Sequence, residues 1–214
     1  MWTVLPQEFR DSPHIFDQTL ASDLQKLHFP QSTLLQYVSD LLLCSPSLTV
    51  SQTDTSSLLN FLADRGYQVS PQKVQLSLTQ VTYLGVLLAH DSKAITLDRK
   101  CFIRSLPIPK TKQEILSFLG LAGYFRTWIP NYSLLAKPLY DLSRGTPSEP
   151  VEATVKKPFL SLQQALLKAP ALHLPDLQQP FILYVHEHNG LALGVLGQMH
   201  GPTFAAVACL SKQF

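Results

Sequence analysis

Cysteine is scarce: Cys44, Cys101 and Cys209 are the only three in 214 residues. Wide spacing and an odd number supply neither the close pairs of a zinc site nor a small disulfide scaffold, so they read as reduced thiols of an intracellular protein, cytoplasm and nucleus undistinguished. Long apolar runs are missing as well. No stretch reaches roughly 18 uninterrupted apolar residues, and the N-terminal MWTVLPQEFRDSP has no basic region followed by an apolar core. Both absences argue against secretion, membrane spanning and a membrane partner. Charge is thin: 15% of residues are Asp, Glu, Lys or Arg, with a formal net charge of +2. That balance lends little support to a polyanionic partner, so any nucleic-acid footprint has to be local. Internal repeats, low-complexity tracts and heptad arrays are absent too. What is plentiful is apolar side chain, 45% of the chain, over a length sufficient for one large or two small cores.

The apolar residues are patterned. Ile15, Phe16, Leu20, Leu24 and Leu27 follow Ser12-Pro13 at near-helical spacing, predicting a helix over 14–27. Residues 33–44 read as two short strands meeting at Ser39-Asp40, with Pro46 closing the second. Val50, Leu58, Leu59, Phe61 and Leu62 predict a helix over about 50–65, stopped at Gly66 by a left-handed cap. VQLSL (74–78) and VTYLGVLLA (81–89) read as a β-hairpin. From Pro107 an extended PIPKTK linker leads to a helix over 113–129 with Ile115, Phe118, Leu119, Ala122 and Phe125 on one side. A helix over 132–143 ends before the RGTPSEP loop, another covers 156–169, and FILYVHE, LALGVLGQ and FAAVACL look like strands. The resulting class is α+β.

Within the first strand pair, LLQYVSDLLLC raises a chemical question. Asp40 interrupts an apolar run, although Asp is a poor strand former and is costly if buried unpaired. Taken alone, it reads as a turn residue bonding its own backbone.

The wider context changes that. The Tyr-Val-x-Asp tip is preceded by LPQEFRDSP and followed by RGYQVSPQKVQL, YLGVLL, FLGLAGYFRTWIPNYSLLAKPLYDL, APALHLPDLQQPFILYV and GVLGQ. This ordered series, covering nearly the whole chain, resembles retroviral reverse transcriptases, most closely the gammaretrovirus type. The resemblance implies a partial palm over 1–90, a linker and helical thumb over 91–145, and a truncated connection domain with an RNase H-like fold over 146–214. Fingers and the first palm half have no counterpart, which suggests a fragment and an endogenous retroviral remnant, a piece of a transposable element.

Nucleotidyl transfer by two metal ions needs several carboxylates converging on Mg²⁺ ions about 4 Å apart. In the family the tip is Tyr-Val-Asp-Asp, and its first aspartate binds metal together with one from an earlier palm strand. Here Ser39 replaces that aspartate and Asp40 is left as a vestige, so no intact metal site and no cofactor are expected, Mg²⁺ being the family's ion. LPQEF resembles the segment lining the nascent base pair, with Gln7 and Phe9 retained and Glu8 where the family has glycine. Lys73 aligns with the lysine proposed to protonate the leaving pyrophosphate, and Tyr83, Leu84 and Gly85 resemble the primer-grip turn. Their plainer readings are a solvated lysine and a strand with a glycine bulge.

Lys93, Arg99, Lys100, Arg104, Lys110 and Lys112 face only Asp91 and Asp98, the strongest basic concentration in the chain. A charge run is usually a solvated face; the resemblance adds contact with a duplex backbone. Phe118, Tyr124, Phe125 and Trp128 read as helix core. His186-Glu187-His188 invites a metal reading but offers no third ligand, and the family's active RNase H has an aspartate where His186 stands. The functional expectation is therefore a catalytically inactive polymerase remnant, a pseudoenzyme with weak affinity for primer-template and no identifiable protein partner. An active or complementing polymerase subunit and a translated remnant without a selected role are the competing readings.

Overall fold

Apolar spacing is realised as helices and short strands in the computed structural model of the chain, which describes residues 9–144 and 151–213. The chain divides between Leu84 and Gly85 into two compact units.

The first unit begins with α1 (Ser12–Leu24), where Pro13 occupies the first turn and Asp11 the cap position. A hairpin follows, β1 (Thr33–Tyr37) and β2 (Asp40–Cys44), antiparallel with Leu34 opposite Leu43 and Tyr37 opposite Asp40. The turn is therefore Val38-Ser39, and Asp40 is the first residue of β2 rather than half of the tip. Helix α2 (Leu48–Asp64) is capped by the Ser47 hydroxyl, which accepts from the Val50 N–H, and ends at Gly66 with φ +79°. Leu20 and Leu24 of α1 meet Leu58 and Leu62 of α2, with Leu34 and Leu41 of the hairpin against them. Polar ties fix the same arrangement: the Gln36 amide donates to Asp17 Oδ1 at 3.1 Å, and the Tyr67 hydroxyl donates to Asp23 Oδ2 at 3.0 Å. Asp23 also pairs with Lys26 and Arg65, and its carboxyl lies below the usual range, chiefly through the Lys26 hydrogen bond.

The hairpin expected over 74–78 and 81–89 is corrected. Residues 74–78 contain no strand. The Gln75 side chain occupies the place of a strand partner: its Nε2 donates to the Thr82 carbonyl and its Oε1 accepts from the Thr82 N–H, both at 2.8 Å. Ser77, at φ +50°, turns the chain away from extended geometry. The run 81–89 is itself divided, into β3 (Val81–Tyr83) and β4 (Val86–Leu88), by Leu84 and Gly85 at φ +50° and +76°.

In the second unit β4, β5 (Ser92–Ile95) and β6 (Leu172–His173) are antiparallel neighbours in that order. Four helices accompany them: α3 (Leu97–Ser105), α4 (Lys112–Tyr124), α5 (Tyr132–Arg144) and α6 (Val151–Leu167). The predicted helix over 113–129 stops at Tyr124 and tightens into a 3₁₀ turn at Arg126–Trp128. Its stripe is buried as the spacing required: Ile115, Phe118, Leu119, Ala122 and Phe125 share one core with Val155, Phe159, Leu162 and Leu166 of α6. Phe118 and Phe159 are in ring contact, centroids 4.6 Å apart. The remaining strands, β7 (Ile182–His188), β8 (Leu191–His200) and β9 (Thr203–Gln213), form a separate antiparallel sheet in that order. Gln198, fully buried in β8, holds the preceding loop by accepting from the Asp176 N–H and donating to the carbonyls of Asp176 and Gln179. Fold class is α+β, as the patterning requires.

Two substitutions separate core from turn energetics. Leu162 is inaccessible to solvent, so Leu162→Ala is expected to lower stability by about 3 kcal/mol. Val38 is β-branched yet sits at φ +53°. Val38→Gly removes that steric conflict and is expected to raise stability by about 0.5–1 kcal/mol after glycine's own entropy is subtracted. Urea unfolding followed by circular dichroism checks both; a Val38→Gly midpoint below wild type would show that the turn is unstrained.

Candidate functional site

The first unit carries the hairpin tip. The β1–β2 ladder fixes the Asp40 backbone opposite Tyr37 and leaves the residue exposed. Ser39 beside it offers a neutral hydroxyl. Tyr83, half-buried on β3, is close enough to feel the carboxylate: its phenol is raised above the usual tyrosine range, first by burial and then by the negative charge of Asp40. The structure thus brings Asp40 and Tyr83 together, a pairing that spacing in sequence does not show. Lys73 is exposed in a turn, its N–H bonded to the Ser70 carbonyl at 3.1 Å. Phe9 is half exposed just ahead of α1, while Gln7 and Glu8 lie outside the described residues.

Could this tip hold divalent cations? Hard ions require several oxygen ligands, mostly carboxylate. Asp40 and Ser39 provide one carboxylate and one hydroxyl, and no group of three His, Cys, Asp or Glu able to hold an ion occurs among the described residues. The residues present do not fit the two-ion arrangement. His186 and His188 share one side of β7 with ring centroids 6.4 Å apart. Glu187 between them accepts from the Gly190 N–H at 2.8 Å, as at a polar strand end.

The second unit carries the basic stretch, and its members separate by direction. Lys93 is half-buried with its ammonium 5.2 Å from the centre of the Trp128 ring, and burial pulls its pKa down. Helix α3, which the sequence reading missed, is capped by Thr96, whose hydroxyl accepts from the Arg99 N–H at 3.3 Å. Thr96 ahead of Asp98 is the signal that could have found it. On α3 Lys100 turns inward and donates to the Ala169 carbonyl at 3.1 Å, just past the end of α6, where a cation is favoured. Lys100 therefore has an internal hydrogen-bond partner. Arg99 is half-buried beside Gly85. Arg104 and Lys110 are exposed, and Lys112 is half exposed at the first residue of α4.

Between these three cations runs a cap. The Thr111 hydroxyl accepts from the Glu114 N–H at 3.2 Å, and Glu114 Oε2 reaches back to the Lys110 N–H at 2.7 Å. These contacts, led by the Lys110 backbone, hold the Glu114 carboxyl below its ordinary value. The Lys110–Lys112 backbone is thereby fixed where it enters α4.

The chain is similar to known proteins along its whole length. Residues 1–88 match the family Reverse transcriptase (RNA-dependent DNA polymerase). The chain is 44% identical over 214 residues to the Gag-Pol polyprotein of feline leukemia virus, covering 99% of this chain and 12% of the polyprotein. It is 42% identical to the Pol polyprotein of feline endogenous virus ECE1, at 99% and 20%. The chain thus spans a fifth or less of these relatives' length. Among solved structures, a foamy viral protease-reverse transcriptase in complex with dsDNA matches at TM-score 0.81 and 27% identity, over all of this chain and 44% of that one. The same type of protein in complex with an RNA/DNA hybrid matches at TM-score 0.81 and 25% identity, over 28% of that chain.

The cap predicts a pH dependence. A carboxyl whose folded pKa is depressed contributes stability above its unfolded value, and that contribution is lost as pH falls through the folded pKa. Glu114→Gln is accordingly expected to lower the melting temperature at neutral pH and to converge on wild type as pH drops below the ordinary glutamate value of 4.5. A constant difference across pH 7 to 3 in a melting series would count against the charged cap.

Proposed function

The chain belongs to the retroviral Pol reverse transcriptase family, and on that premise we propose that it holds nucleic-acid duplex through phosphate contacts without catalysing nucleotidyl transfer. Residues 1–90 then correspond to palm, 91–145 to linker and thumb, and 146–214 to the connection domain. The observation that carries the reading is the tip Tyr37-Val38-Ser39-Asp40, a hairpin turn that offers one carboxylate where two-metal nucleotidyl transfer needs several. A serine hydroxyl cannot replace the charge of a metal-binding carboxylate. Duplex contact has no such requirement. Arg104, Lys110 and Lys112 present cations to solvent along α3 and the start of α4, and phosphate neutralisation needs only positive charge at a fixed place. The foamy viral relatives, in complex with dsDNA and with an RNA/DNA hybrid, support duplex as the partner.

Two measurements test the two halves. Primer extension on RNA and DNA templates with Mg²⁺ or Mn²⁺ is expected to give no product, and Ser39→Asp alone is expected not to rescue it. Extension that co-purifies with the protein would overturn the inactive reading. Fluorescence anisotropy with a primer-template duplex is expected to show binding no tighter than about micromolar at physiological salt, falling steeply above it. Removing charge at Arg104, Lys110 and Lys112 together is expected to reduce the log-log salt slope by about three. Absent binding at low salt, or a slope the triple variant leaves unchanged, would leave a chain without a nucleic-acid role.

A further inference from the structure

Gly85 is the one glycine of the described chain whose open side is filled by an arginine. Its φ of +76° already disfavours a side chain. A Cβ placed there would also lie 3.2 Å from Arg99 Nη2, 3.9 Å from Nε and 4.0 Å from Cζ. The guanidinium therefore lies against the position where a side chain at residue 85 would begin. Arg99 comes from the first turn of α3, whose backbone is fixed by the Thr96 cap, and it is half-buried. A planar guanidinium lying against Gly85 from a capped backbone limits how far that residue can move, whereas a lysine ammonium, compact and strongly hydrated on a flexible stem, would not.

We propose that Arg99 is a positioning residue for duplex binding: it holds Gly85, and with it the exposed turn at Leu84, in the shape presented to the nucleic acid, and makes no phosphate contact of its own. This rests on the duplex-binding reading above. It divides the basic stretch by role, with Arg104, Lys110 and Lys112 supplying charge and Arg99 supplying shape. The division has a sharp consequence. A phosphate ligand is replaceable in part by lysine, and its loss lowers the salt slope by about one. A brace is not replaced by lysine, and its loss weakens binding at unchanged slope.

The test uses the full chain, with Arg99→Lys, Arg99→Met and, for comparison, Arg104→Ala. Anisotropy with a primer-template duplex over a salt series gives affinity and slope, and limited chymotrypsin digestion reports whether the Tyr83-Leu84 bonds have become accessible. Both Arg99 variants are expected to bind about fivefold more weakly with the wild-type slope, and to be cut faster near residue 84. Arg104→Ala is expected to lower the slope by about one and to leave the cleavage rate alone. Wild-type affinity in Arg99→Lys, or a slope lowered by about one in Arg99→Met, would make Arg99 a phosphate ligand and overturn the proposal. If wild type binds no duplex, the duplex reading fails by itself; the bracing of Gly85 is still decided by digestion, where unchanged cleavage in both variants overturns it. A thermal melt of each variant separates accelerated cleavage near residue 84 from global unfolding.

Discussion

The apolar core shared by α4, α5 and α6, with α5 packed against both of the others, is the constraint on which the second unit depends. Ile115, Phe118, Leu119 and Ala122 of α4 share one core with Ala136 and Leu139 of α5 and with Val155, Phe159, Leu162 and Leu166 of α6, and everything attached to them inherits its direction. Ile103, Leu106 and Ile108 are drawn onto the same core, and buried Gln163 fixes the Ile103 carbonyl at 2.8 Å. With these positions turned inward, Arg104 and Lys110 face solvent. The basic face is thus a by-product of packing, stabilised by apolar burial far larger than any surface charge interaction. It persists whatever becomes of the chemistry elsewhere in the chain.

The hairpin in the first unit shows the same separation between shape and chemistry. Its geometry comes from the β1–β2 ladder, from Leu34 and Leu41 against the α1–α2 core, and from Gln36 on Asp17. None of these involves the side chain at position 39. A serine there leaves the backbone that would aim a carboxylate and removes only the charge. The backbone shape of a hairpin tip and the metal ligands its side chains offer are therefore set independently. Val38 takes a positive φ in this turn, a conformation that a β-branched side chain disfavours.

How much of this the sequence disclosed follows from the range of each interaction. Helices with a dense stripe, such as α4 and α6, were legible because their burial pattern repeats every turn. α3 was not, since Ile103 is its one buried residue and the periodic signal has nothing to repeat. The strand wrongly expected over 74–78 alternates correctly, but alternation says nothing about a partner, and the Gln75 side chain satisfies Thr82 in place of a neighbouring strand. β6, two residues long, falls below any window. At the site, the Tyr-Val-x-Asp tip and its order among the other motifs identified the family. The proximity of Asp40 to Tyr83 and of Arg99 to Gly85 depends on contacts between positions far apart in the chain, which no local pattern encodes.

Charge is where sequence reading and structure diverge most usefully. Six cations between Lys93 and Lys112 look like one patch when counted along the chain. In three dimensions Lys93 rests on Trp128, Lys100 closes the end of α6 and Arg99 fills the space beside Gly85. Long basic side chains bury their stems readily and find aromatic or carbonyl partners at little cost. Helical periodicity then decides which of them face outward. Half of the apparent patch lies against other groups of the unit, so the cations left most exposed are set by the direction of α3 and the start of α4 rather than by the number of lysines and arginines. A chain with a net charge of only +2 can still present a directed cationic face, because the core has sorted its cations before any partner arrives.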